Sequence, residues 1–225
     1  MRSTPADDRT TKARIRDAAI HCVAERGAKA MTARNVAEVA GVSPALVIHH
    51  FGSMEGLRSA CDESIAARIR RIKEDAAAAG LAMDPMDVLK QQSEGPPIAD
   101  YLSRVLVDGS PQVDALVDEL VADAVDYSEQ MVESGMMRPT AYPRARAALL
   151  VTWSLGNLVL GRHLERLLGV DATETLERPT EASAYLEPML ELMHDGTMTD
   201  AMFELVRDAL VTGEAVADEG KEVAS

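Results

Sequence analysis

Two cysteines in 225 residues, Cys22 and Cys61, exclude a disulfide framework. Each falls on an apolar stripe at helical spacing, where a thiol is a small buried hydrophobe; a redox-sensing pair is the alternative. Aromatic residues make up only 3% of the chain although 47% is hydrophobic, so the core must be built from Ala, Val, Leu and Met. No run of about 18 uninterrupted apolar residues exists, which excludes a conventional spanning helix. The longest such stretch, Ala147 to Gly161, is broken by Thr152, Ser154 and Asn157. The N-terminus has no apolar signal-peptide segment, so a cytoplasmic location is expected. No alternating period marks a strand. No glycine-rich phosphate loop, nucleophile elbow or acid–base constellation stands out, and an enzyme is not expected. His21, His163 and His194 stand apart from any metal-ligand spacing, so neither metal nor cofactor is expected.

The formal net charge is −14, at first sight unfavourable for a nucleic-acid partner. Its distribution reverses the argument. Residues 1–73 hold 13 basic and 8 acidic side chains, a net of +5, and the remainder carries −19. Charges beyond about 8 Å are screened at physiological salt, so a basic head can hold phosphates while an acidic body faces away.

The stretch Thr32 to Phe51, TARNVAEVAGVSPALVIHHF, carries the sharpest local signals. Thr32 is an N-cap, and Val36, Ala37 and Ala40 share one helical face. Gly41 can close that helix in a left-handed conformation, and Val42 plugs the turn. Ser43 is a second N-cap, with Pro44 at the first helical position, where a missing amide costs nothing. Val47 and Phe51, four apart, point inward, and Gly52 ends the helix. Pro44, Ala45, Ile48 and His49 are left facing outward, with Leu46 on the flank. Two helices this short cannot bury a core of their own, and the outward row of the second is what a helix-turn-helix protein inserts into the major groove. His49 and His50 are neighbours and point about 100° apart on a helix, so they are poorly placed to chelate one ion.

The rest of the chain reads as helices. The first runs from about Thr10 to Arg26, with Ile15, Ala18, Ala19, Cys22 and Val23 inward; Arg9, Lys12, Arg14 and Arg16 near its start can reach a phosphate backbone. A long helix spans about Met54 to Ala79, with Leu57, Cys61, Ile65, Ile69 and Ile72 on one face. A short helix is expected from Asp84-Pro85 to about Ser93, then a break at Glu94-Gly-Pro-Pro97. Further helices are expected at Ile98–Val107, Pro111–Met137, Tyr142–Leu168, Thr180–His194 and Thr199–Thr212. On the Pro111 helix, Asp114, Asp118, Glu129 and Glu133 fit a solvated face. The Tyr142 helix is apolar on nearly every side, so one flank needs a partner, and a second copy of the chain is the economical one. Residues 1–9 and 214–225 lack periodicity and are expected to be disordered. The sum is an all-α fold of nine or ten helices: a helix-turn-helix head at 1–53, a helical body at 54–213 and a tail at 214–225.

The run AEVAGVSPALVIHHFGS followed by a long helix resembles the DNA-binding end of the tetracycline-repressor (TetR) family, over roughly Lys12 to Leu57. Beyond that the resemblance is architectural. Two positions depart from the family's usual pattern. Ile48 stands where an aromatic is common and implies apolar readout, of a thymine methyl for example; Met54 stands where a lysine is common and removes one phosphate contact. The resemblance implies a homodimer on a palindromic double-stranded operator. It implies DNA contacts from Thr32, Arg34, Ser43, Pro44, Ala45, Leu46, Ile48, His49 and His50. It also implies a small-molecule effector in the body, which releases DNA by shifting the long helix. Candidate effector residues, read as polar or aromatic side chains on apolar helices, are Tyr101, Tyr127, Trp153, Asn157 and His163; helix–helix hydrogen bonding is the plainer role for Asn157. Several of the 12 methionines fit either core filling or an adaptable pocket. The alternative is a ligand-binding or protein-interaction module of the same fold that does not bind DNA.

Overall fold

The computed structural model describes residues 5–84, 87–88, 91, 95–108, 110–169, 183–204 and 206–207. Their regular elements are all helices, without a strand among them. The tail at 214–225, most of the short helix at 84–93 and the end of the last helix lie outside the described residues. The chain divides into two compact units, one to residue 182 and one from residue 183.

In the first unit, α1 is Pro5–Arg26, α2 Ala33–Ala40, α3 Pro44–Phe51 and α4 Met54–Ala79. They are followed by α5 (Ile98–Val105), α6 (Pro111–Glu133), α7 (Pro143–Val159) and α8 (Gly161–Leu168). The second unit holds α9, Ser183–His194, with Pro188 inside it.

Local chemistry sets the joints around the turn. Thr32 Oγ1 accepts from the Asn35 amide at 3.2 Å, Ser43 Oγ from Leu46 at 3.2 Å, and Ser53 Oγ from Gly56 at 3.0 Å. Three helices therefore begin at hydroxyl caps, each worth about 1 kcal/mol. Gly41 closes α2 with φ 65°, a conformation nearly free for glycine.

Helix α1 packs on α2 and α4 on one side and on α5 on the other; α4 lies along α6, and α7 covers α5 and α6. One apolar cluster runs through all of them, from Ile15, Ile20, Val23, Val36 and Val47 to Leu57, Ile65, Leu102, Leu116, Leu120 and Val151. Cys22 and Cys61 lie wholly inside it. Burial raises both thiols, Cys61 to about 12, so both are held neutral and poorly reactive.

Three expected boundaries are corrected. Helix α1 starts at Pro5, not Thr10, so residues 5–9 are helical where disorder was expected; a proline at the first helical position loses no hydrogen bond. Helix α6 ends at Glu133, four residues early. Gly135 turns left-handed at φ 76°, and the Met136 amide donates back to the Met131 carbonyl at 2.8 Å. The expected Tyr142–Leu168 helix is two, separated at Leu160, whose ψ of 10° leaves the helical region beside Gly161.

The joint between α3 and α4 leaves no spare room. A Cβ added at Gly56 would lie 2.3 Å from the Phe51 carbonyl oxygen, a backbone atom that cannot step aside alone. Gly56→Ala is therefore expected to destabilise the fold by about 1–3 kcal/mol, measured by urea unfolding. Unchanged stability would show that the two helices approach less closely.

Candidate nucleic-acid interface

Helix α3 is anchored by one edge and bare on the other. Val47 is fully buried, and Phe51 packs on the core beside Val42. Lys12 Nζ of α1 stands 5.3 Å from the Phe51 ring centroid, which ties the helix end to α1 by a cation–π contact. Opposite these anchors Ser43, Pro44, Ala45 and His49 are exposed, and Ile48 is 39% exposed. Leu46 and His50 are partly buried on the flanks. The His49 and His50 rings meet edge to face, with centroids 5.7 Å apart. Among the described residues no cluster of three His, Cys, Asp or Glu side chains could hold a metal ion.

Thr32 and Arg34 are exposed at the start of α2. The caps use lone pairs of the Thr32 and Ser43 oxygens and leave each hydroxyl proton free to donate. Those hydroxyls sit beside the positive ends of α2 and α3, where anions are favoured. Of the nine DNA candidates seven are exposed, five on α3 or its cap and two at the start of α2, and Leu46 and His50 of α3 are partly buried.

The five effector candidates are spread over four helices. Tyr101 is fully buried, and its hydroxyl donates to Asp62 Oδ1 of α4 at 2.7 Å. Burial, with the Asp62 carboxylate beside it, raises the phenol well above its usual range. Asp62 is raised too, by desolvation and against the opposing hydrogen bond. Tyr101 is thus a link between α4 and α5. Tyr127 is partly buried on α6. Trp153 (38% exposed) and Asn157 lie one turn apart on α7. His163 falls on α8, where it accepts from Arg162 Nε at 3.2 Å.

Two groups that matter were missed by sequence reasoning. Asp62 lies among the inward residues of α4, and its helical register could have revealed it. Arg70 is the other; it pairs with Glu119 and Asp123 of α6 at 2.9 and 2.7 Å and clamps α4 along that helix. Arg68 crosses to the 91–95 segment, donating to the Gln91 carbonyl at 2.7 Å. A Cβ at Gly95 would meet that guanidinium at 2.7 Å.

An all-helical chain with a capped helix-turn-helix and an outward-facing second helix is a DNA-binding regulator by class. Comparisons with known proteins agree. Residues 15–61 match the family of bacterial regulatory proteins, tetR family, and residues 94–199 match the tetracyclin repressor-like C-terminal domain. The chain is 36% identical over 220 residues to the HTH-type transcriptional regulatory protein RaaS of Mycobacterium tuberculosis, covering 92% of this chain and 97% of that protein. It is 43% identical over 63 residues to the HTH-type transcriptional regulator BetI of Rhizobium meliloti, covering 28% of this chain and 30% of that one. A solved structure described as the molecular basis for control of antibiotic production by bacterial hormones shares the fold. Its TM-score is 0.53 at 20% identity, over 79% of this chain and 96% of that one. The chain belongs to the TetR family of helix-turn-helix transcriptional regulators. The named relatives are regulators and not enzymes. No helix among the described residues is long and apolar enough to cross a membrane.

The Tyr101–Asp62 link generates a stability prediction. Tyr101→Phe leaves the Asp62 carboxyl buried without its donor and is expected to cost about 1–3 kcal/mol at neutral pH. The phenol is raised in the fold, so its share of stability is present below the ordinary tyrosine pKa and lost as pH rises above about 10. Tyr101→Phe should flatten that alkaline loss. Urea unfolding at pH 7 and above pH 10 measures both; equal stability of the two proteins at pH 7 would mean the bond adds nothing.

Proposed function

We propose that this regulator is a homodimeric repressor that binds a palindromic operator and is released by a small-molecule effector held in the body. It acts in the cytoplasm. Residues 1–53 serve as the head, and 54–213 as the body and dimer interface. The observation that carries the reading is the bare row of α3, Ala45, Ile48 and His49, mounted on a helix whose opposite edge is locked into the core. In the proposed complex Thr32 and Ser43 donate to phosphates, Arg34 pairs with the backbone, and Pro44, Ala45, Ile48 and His49 meet base edges. Leu46 and His50 set the angle of the helix. Two heads related by a two-fold axis require half-sites about one helical turn apart or somewhat more.

The dimer rests on α7. Ala147 and Val151 are buried against the body, whereas Leu149 is 71% exposed and Trp153, Val159 and Leu160 are also uncovered. A large apolar flank open to water is the expected mark of an interface. The effector must prefer the state that does not bind DNA, and a 100-fold loss of affinity needs about 2.7 kcal/mol of coupling. Trp153, Asn157, Tyr127 and His163 are the proposed effector-facing residues. Tyr101 acts on them through α4.

Three measurements test this reading. Ile48→Ala combined with His49→Ala should abolish sequence-specific binding in a gel shift while the circular dichroism stays helical; undiminished operator affinity contradicts base readout by α3. Operator affinity should fall steeply between low and physiological salt, as counterion release demands; a flat dependence contradicts the phosphate contacts. Light scattering at micromolar protein should give the dimer mass, and a monomer mass rules out the α7 interface.

A further inference from the structure

The joint at the start of α4 has no slack. A Cβ on Gly56 would lie 2.3 Å from the Phe51 carbonyl oxygen, so the first turn of α4 is seated directly on the last residue of α3. Leu57, Cys61, Asp62 and Ile65 of the following turns are buried. The Cys61 thiol donates to the Arg16 carbonyl of α1 at 3.7 Å. Asp62 lies six positions beyond Gly56, about 9 Å along the helix axis. Over that short length α4 is held by α3 at Gly56, by α1 at Cys61 and, through Asp62, by the Tyr101 hydroxyl of α5.

The last of these holds comes from beyond the head. Tyr101 is wholly enclosed, and Asp62 is only 9% exposed. Their bond is 2.7 Å long and joins residues 39 positions apart. Leu102 and Val105 of α5 are buried as well, so the phenol projects from a helix with little freedom of its own. Apolar packing lets one helix slide a little over another, whereas a hydrogen bond weakens steeply away from its preferred distance and angle. The Arg70 pairs lie farther along α4 and are partly screened by water, so they restrain its start less.

We propose that Tyr101 and Asp62 are positioning residues for operator recognition: their bond fixes the start of α4, and through the Gly56 seat it fixes the angle at which α3 meets base edges. Base readout needs one angle, so a loosened α3 pays an ordering cost on each specific encounter. Phosphate contacts tolerate a range of angles, so non-specific binding escapes that cost. Both residues are buried and act without touching DNA. This assignment rests on base reading by α3 and deepens it.

The test uses the full chain, the operator fragment recovered by genomic capture with the parent protein, and an unrelated duplex of equal length. Affinities are read by fluorescence anisotropy at a temperature where every variant is folded. Tyr101→Phe should bind the operator about fivefold or more weakly than the parent and the unrelated duplex equally well. Asp62→Asn, whose amide oxygen still accepts from the phenol, should keep most of the operator affinity. The double variant Tyr101→Phe, Asp62→Leu has no buried carboxylate left without a donor, so its melting temperature should recover toward the parent's while its operator affinity stays low. Recovery of operator affinity together with stability overturns the assignment, because the pair then only holds the fold. Unchanged operator affinity in Tyr101→Phe also overturns it, as does a loss in Asp62→Asn as large as that in Tyr101→Phe. A Tyr101→Phe defect of equal size on both duplexes overturns it too, since the angle of α3 then plays no part. If capture recovers no preferred sequence, base reading by α3 fails and this assignment falls with it.

Discussion

The packing of α1 is the constraint on which the rest of the structure depends. This helix buries Ile15, Ala19, Ile20, Cys22 and Val23 to 1% exposure or less. It packs on α2 on the head side and on α4 and α5 on the body side. Burying each large aliphatic side chain is worth about 1.5–3 kcal/mol, so separating α1 from either neighbour costs several. The head is therefore not a bead on a string. Helix α3 is held by Val47 and Phe51 against a core that continues through Tyr101, Leu102 and Val105 of α5. A change in the body that moves α4 or α5 cannot leave α3 where it was.

Polar contacts refine this arrangement without supplying its bulk. The Tyr101–Asp62 bond and the Arg70 clamp both engage α4, one toward α5 and one toward α6. The first is buried and sensitive to loss of a partner; the Arg70 side chain is about a third exposed, so its ion pairs are partly screened. Acidic side chains elsewhere on α6, such as Asp114, Asp118, Glu129 and Glu133, are exposed and account for part of the body's negative charge. The net charge of the whole chain says little about the head, where basic residues predominate.

The head was legible because its signals are local. A hydroxyl cap, a proline at the first position and a glycine past the end act within one turn, and α2, α3 and α4 begin and end where those residues stand. The outward row of α3 followed from the same register. Boundaries in the body depend on less local events. The stop at Glu133 needs Gly135 to take a left-handed conformation, and the division of α7 from α8 occurs at Leu160, within the largely apolar stretch from Ala147 to Gly161. Tyr101 looked like an effector residue because its partner is 39 positions away. Gly56 gave no signal either, since the need for a glycine arises only from the approach of the Phe51 carbonyl.

Native-state hydrogen exchange measures the central claim most directly. If head and body share one core through α1, amides of α1, α4 and α5 should open together at one free energy, with the buried side of α2 and α3 close behind. Exchange of α1, α2 and α3 as a separate unit, at a clearly lower free energy than α5 and α6, would show that the head folds on its own and contradict the account.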